Sequence, residues 1–285
     1  MHARNETTVT EFILVGFSVI PGLEYLFFTL FLIIYVTTVL GNTAIIFAYS
    51  LCSDLHTPMY LYLTNFSFFE ICYVSITVPK LISDLLTERK TISFYGCANV
   101  LLFPSVWPGV LKVCVQLLAG TWIISVINSL IHTLLTFSLP FCDNVINHFF
   151  CDIPPLLKLA CKVNLMNEIA LFAIAGFIIM GSCVFIVISY TQIIATILGI
   201  HSTSGRRKAF STCSSHLTAV TIYYGSGAFM YLRPKPNQSL DQDRQIALMY
   251  TVIAPLLNPF IYTLRNRDFK VAFIKIIQHM FSQKF

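Results

Sequence analysis

Apolar positions in this chain come in long unbroken runs rather than in stripes. After a polar opening from Met1 to Glu11, stretches without Asp, Glu, Lys or Arg extend from Tyr25 to Ser53, Val113 to Cys142, Ile169 to Gly205, Ala209 to Leu232 and Gln245 to Leu264. A sixth, Met59 to Pro79, is broken only by Glu70. Each is long enough for the about 20 residues that a helix needs to cross a bilayer. None shows the apolar–polar alternation of a barrel strand, and lipid leaves helices as the other spanning structure. The pattern predicts an all-α fold, a polytopic membrane bundle. No cleavable leader is expected, because the first apolar run is already of full membrane length.

Composition narrows the class. With 56% hydrophobic and 11% charged residues over 285 positions, an ordinary soluble domain is excluded. The net charge of +5 is unevenly placed. Arg206, Arg207 and Lys208 are separated by two spans from Arg265, Arg267, Lys270, Lys275 and Lys284, so both groups share one side, cytoplasmic by the excess of basic residues. Counting back, Asp143 to Glu168 lies outside and Lys112 inside. Counting forward from an external amino terminus, which the sequon Asn5-Glu6-Thr7 suggests, Thr87 to Cys97 also lies outside.

One crossing is therefore needed between Cys97 and Lys112. The about 15 residues from Ala98 to Lys112 would rise about 22 Å as a helix, against a hydrocarbon core of about 30 Å. Pro104 and Pro108-Gly109 disfavour a continuous helix there. Either a shortened third span begins near Thr91 and turns at Trp107-Pro108-Gly109, or the segment does not cross and six spans remain.

Chemistry-bearing residues are few. Glu70 is the one carboxylate well inside a span, a functional hypothesis by default, read either as a sodium ligand or as a protonated acid with ordinary hydrogen bonds. Asn258-Pro259-Phe260-Ile261-Tyr262 falls near the inner end of the last run, where proline weakens the helix and makes a movable joint or a static kink. Of nine cysteines, Cys97, Cys142, Cys151 and Cys161 lie outside by this topology, and four allow three pairings. A metal reading of His148 with Cys151 and Asp152 carries less weight there than disulfide bonding. No zinc, P-loop or Gly-x-Ser-x-Gly signature occurs, and no inverted repeat with broken helices, so an enzyme or transporter is not expected. No cofactor, metal or nucleic acid is expected either.

Four ordered motifs give the chain a resemblance: Leu55-His56-Thr57-Pro58-Met59-Tyr60-Leu61-Tyr62-Leu63, His148-Phe149-Phe150-Cys151-Asp152, Lys208-Ala209-Phe210-Ser211-Thr212-Cys213-Ser214-Ser215-His216-Leu217, and Pro255-Leu256-Leu257-Asn258-Pro259-Phe260-Ile261-Tyr262. Together they resemble the vertebrate olfactory receptors, which are rhodopsin-like G-protein-coupled receptors. The resemblance implies seven helices, a small apolar odorant held in the outer half of the bundle, and coupling to a stimulatory G protein. It implies disulfides Cys97–Cys151 and Cys142–Cys161, and a switch in which Glu70 meets Asn42 and Asn258 beside Pro259 and Tyr262. It places Arg206, Arg207 and Lys208 at the G-protein face, and Ile174, Ile178, Tyr224, Gly227, Tyr231, Leu248 and Thr251 among the ligand-lining positions. The expected division is an external segment 1–22, a bundle 23–264 and a cytoplasmic tail 265–285, whose Phe269, Phe273, Ile274, Ile276 and Ile277 suit an amphipathic helix on the inner leaflet.

The departure from the family lies after Cys97. The complete third helix, its Met-Ala-Tyr-Asp-Arg-Tyr signature and the second inner loop are missing, and likeness resumes near Val113-Cys114-Val115-Gln116-Leu117. Two readings follow: an odorant receptor at the plasma membrane, or a signalling-dead chain that associates with other receptors. Loss of a packing helix makes retention in the endoplasmic reticulum an expectation. Sidedness is testable by glycosidase mapping. Asn5 and Asn237, in Asn237-Gln238-Ser239, are expected to carry glycans, while Asn65 inside a span stays bare. A bare Asn5 with a modified Asn237 would mean an inverted amino-terminal half.

Overall fold

The structure is a computed structural model that describes residues 9–16, 22–87, 89–102, 112–161, 165–231, 240–264 and 267–282. Each of the six apolar runs falls on helix. Glu24–Leu51 (α1) and Pro58–Leu86 (α2) are joined by a tight turn at Ser53–Leu55. Pro58 opens α2, where a missing N–H costs nothing, and Thr57 before it is extended, with φ −112° and ψ 158°. Lys112–Phe137 (α4), Leu165–Leu198 (α6) and Thr203–Tyr231 (α7) follow. The last run is Leu240–Leu248 (α8), a wide turn at Met249–Ile253 and Ala254–Leu264 (α9). Among the described residues, Glu24–Leu51, Met59–Leu86 and Ile179–Leu198 are long and apolar enough to cross a membrane, and Trp122–Phe137 is a shorter apolar helix.

Polar side chains survive in these runs by bonding their own helix. Thr38 Oγ1 donates to Ile34 O at 2.8 Å, Thr77 Oγ1 to Tyr73 O at 3.0 Å, Asn65 Nδ2 to Leu61 O at 2.8 Å and Thr191 Oγ1 to Val187 O at 2.8 Å. Such i to i−4 bonds keep these four donors from standing bare in hydrocarbon. The wide turn in the last run has a similar cause. Pro255 has no N–H to give Thr251 O, and the strand of bonds is relaid so that Ala254 N reaches Met249 O.

Of the third span the described residues include Phe94–Leu102 (α3), which rises about 13 Å. It runs antiparallel to the outer half of α4: the rings of Phe94 and Phe137 lie 4.8 Å apart at the outer end, and Ser129 Oγ donates to Leu101 O further in. Thr91 does not begin this helix, because Thr91–Ser93 is a strand (β2). The expected turn at Trp107-Pro108-Gly109 lies outside the described residues.

A small sheet caps the outer end. Glu11–Leu14 (β1) pairs antiparallel with β2, Glu11 opposite Ser93, and parallel with Val145–Ile146 (β3), Leu14 beside Ile146. Phe12 and Leu14 turn inward and are fully buried, while Glu11 and Ile13 face out, the period-two pattern of a strand. They pack with Ile146, Phe141 and Leu156 around the disulfide Cys97–Cys151, with Cα atoms 5.5 Å apart. A second disulfide, Cys142–Cys161, closes the loop that carries the one-turn helix Ile153–Leu157 (α5).

At the inner end, Arg267–Ser282 (α10) lays Phe269, Ala272 and Ile276 against Ile45, Ala48, Leu55 and Tyr60. Its Lys275 Nζ lies 3.1 Å from Asp54 Oδ2. The tail's buried stripe therefore rests on the α1–α2 turn. Val271 and Ile274 stay exposed, and the side chain of Ile277 lies outside the description.

α1 and α9 approach so closely at Gly41 that a Cβ there would sit 2.8 Å from Pro259 Cβ and 3.1 Å from its Cγ. The proline ring cannot swing aside. Gly41→Ala is expected to lower the stability of the purified protein by about 1–3 kcal/mol, the usual cost of overpacking. Gly181→Ala, where a Cβ meets nothing within 4 Å, is the control. Equal melting temperatures for the two variants would show that the contact does not constrain the helices.

Candidate functional site: a buried switch and an outer clamp

Three helices converge on one carboxyl. Glu70 of α2 and Asn258 of α9 are 3% and 4% exposed, and Asn258 Nδ2 donates to Glu70 Oε1. Asn42 approaches the same carboxyl from α1, while its own Nδ2 donates to Thr38 O at 3.1 Å. Asn42 Oδ1, Glu70 Oε2 and Asn258 Oδ1 are buried acceptors with no protein donor. A proton on Glu70, a water or a hard cation each supplies what these oxygens lack. Pro259 follows directly, buried against Gly41. The structure thus brings Glu70, Asn42, Asn258 and Pro259 together; Tyr262 lies on α9, with its side chain outside the description.

The ligand-lining nominations are more scattered. Thr251 is fully buried and its hydroxyl is turned back to Ala247 O, and Leu248 packs against the cluster of Phe31, Val74, Val78 and Phe149. Tyr224 is half-buried and its ring meets Tyr223 edge-on at 5.6 Å. Gly227 has open space where a Cβ would point, and Ile174 is half-buried on α6. The side chains of Ile178 and Tyr231 are outside the description. A groove of about 330 Å³ on α6, lined by Ser189, Gln192, Ile193, Thr196 and Ile197, contains no nominated residue.

Arg206 and Arg207 are exposed in the first turns of α7, and the side chain of Lys208 is not described. Tyr190 of α6 and His216 of α7 share a hydrogen bond that sequence reading did not foresee. Asn5 lies outside the described residues.

The outer clamp was also missed. Tyr250 OH donates to Asp152 Oδ2 at 2.8 Å, Lys158 Nζ lies 3.4 Å from Asp243 Oδ2, and Arg244 Nε donates to Asn147 O at 3.2 Å. Three contacts thereby fasten the disulfide-bearing loop to α8 and the wide turn. Asp243 and Tyr250 are seven residues apart, one helical face, and this spacing beside an oppositely charged external Lys158 was the available signal. Asp152 Oδ1 accepts from Ile153 N at 2.8 Å, so both its oxygens are used; with Cys151 in a disulfide, the metal reading at His148 is overturned. Among the described residues no three His, Cys, Asp or Glu side chains gather as metal ligands.

His148 itself is 1% exposed, stacked on Phe149 at 4.7 Å and edge-on to Phe150 at 4.8 Å. Burial holds its imidazole down at about 4, well below the usual 6.5, with Arg244 and Lys158 adding to the effect and Asp243 opposing it.

Comparison with known proteins gives these features a common origin. The family model described as "Olfactory receptor" matches residues 31–121 and 109–284, two pieces that overlap at 109–121, around the start of α4. The chain is 43% identical to olfactory receptor 5AR1 of Homo sapiens over 305 positions, covering 97% of this chain and 98% of that protein. It is 42% identical to olfactory receptor 9G4 of Homo sapiens over 306 positions, covering 98% and 94%, and 40% identical to olfactory receptor 1468 of Rattus norvegicus over 305, covering 97% of each. Since 97% of 285 residues is about 276, roughly 29 positions of the 305 have no counterpart here. The helical membrane fold, the buried switch and these matches lead to one conclusion: the chain belongs to the olfactory receptor family, odorant-detecting multi-pass membrane receptors of the G-protein-coupled class, which are not enzymes.

Proposed function

We propose that this receptor takes a small apolar odorant among the outer halves of α6, α7 and α8 and couples to a stimulatory G protein at the plasma membrane. The observation that carries the reading is the buried Glu70–Asn258 contact, set one residue before Pro259 in a helix already interrupted at Met249–Ile253. A helix with two weakened places and one buried polar tether has two arrangements that a ligand can bias. Leu248 and Thr251 flank or lie in the upper weak place, so a ligand there would act on the tether through α9. Ile174, Tyr224 and Gly227 supply the apolar walls, Ile178 and Tyr231 continue the same helices, and desolvation is the main source of affinity. Arg206, Arg207 and Lys208 form the inner cationic face, and Val271 and Ile274 of α10 meet the inner leaflet.

The test is cyclic AMP production in cells that display the chain at their surface, challenged with an odorant panel. A response that Tyr262→Ala abolishes supports the reading. Silence from the displayed chain, with recovery after a family third helix and second inner loop are inserted between Cys97 and Val113, assigns this chain the signalling-dead reading. Retention inside cells relieved by the same insertion would place the defect in export.

A further inference from the structure

We propose that His148 is the latch of an acid-sensitive clamp holding the disulfide-bearing external loop on α8, so that a fall in external pH frees the loop from the outer end of the bundle. The geometry begins with the ring's two nitrogens. Nδ1 accepts from Phe150 N at 3.4 Å, which puts the proton of the neutral ring on Nε2. Nε2 is buried without a protein partner. The ring lines a cavity of about 40 Å³ with Asn147, Lys158 and Asp243, room enough for water to carry a proton in.

Every neighbouring charge can then be weighed. From α8 come Asp243 and Arg244, the latter 3.4 Å from Asp241; from the loop come Lys158 and Asp152. Asp243 is engaged by Lys158, Asp241 by Arg244, and Asp152 by Tyr250 and Ile153 N, so no carboxylate is reserved for an imidazolium. Protonation at Nδ1 would also break the Phe150 contact and place a cation beside Arg244 and Lys158. Both changes push the loop off α8.

The sign follows from linkage. The ring's proton affinity is depressed in the folded clamp, so a freed ring binds a proton first, and the clamp weakens as pH falls from about 6.5 towards about 4. Between pH 6.5 and 4.5 the opening equilibrium should rise roughly 40-fold.

Hydrogen–deuterium exchange on the purified full chain in lipid discs reads this directly and is independent of the odorant-coupling reading. The reporters are the amides of Val15, Gly16 and Phe150, bonded to Ile146 O, His148 O and His148 Nδ1. After correction for intrinsic exchange, their protection is expected to fall roughly 40-fold across that interval while the α1–α2 core is unchanged. His148→Gln, whose amide can both accept from Phe150 and donate to the cavity without titrating, should abolish the response. Lys158→Gln, at a half-exposed position, should move it to higher pH. A wild-type chain with no response, an equal response in His148→Gln, an unmoved midpoint in Lys158→Gln, or equal loosening of the core would each overturn the latch.

Discussion

A carboxyl group buried among lipid-spanning helices must find hydrogen bonds inside the protein, and that constraint organises the bundle. Glu70 meets it through Asn258 of α9, with Asn42 of α1 close by, so the neighbouring α1 and α2 and the sequence-distant α9 are drawn to one point. The adjacent Gly41 lets α1 press onto Pro259, and neither neighbour can retreat without exposing a polar group to hydrocarbon. Above this point the last helix widens at Met249–Ile253 because Pro255 cannot complete its turn. The Glu70–Asn258 contact thus lies below a place where the backbone bonds of the last helix are relaid.

The outer end is held by different forces. Two disulfides, a three-stranded sheet and the polar contacts from α8 fix the loop after α4, and Phe12 and Leu14 bring the amino-terminal segment into the same apolar cluster. This cap also steadies α3, which is tied to the loop at Cys97 and to α4 at Leu101. On α6, Phe177, Phe185 and Val187 remain exposed. Lipid is the natural cover for that surface.

The membrane class and the six long helices were legible in the sequence because uninterrupted apolar runs have few structural outcomes in lipid. The Glu70–Asn258 meeting was legible through the family resemblance, and physically because a lone intramembrane carboxylate must have a partner. The cap was not. Its strands are two to four residues long, too brief for alternation to stand out, and β1 sits in a segment that reads simply as polar and external. The clamp escaped because Lys158–Asp243 and Tyr250–Asp152 join residues about 85 to 98 positions apart, and long-range pairing leaves no local trace. The tail helix shows the opposite error: its apolar stripe is real, but Phe269 and Ile276 face protein where a leaflet was expected.

The central claim is that the Glu70–Asn258 contact couples α2 to α9 energetically. A double-mutant cycle on the purified receptor, with Glu70→Ala, Asn258→Ala and the pair, measures that coupling through thermal unfolding. The account predicts an interaction energy of about 1–3 kcal/mol, with the double variant less destabilised than the two single losses added together. Losses that add within about 0.5 kcal/mol would contradict it, because residues that share no energy cannot be the tether on which the switch depends.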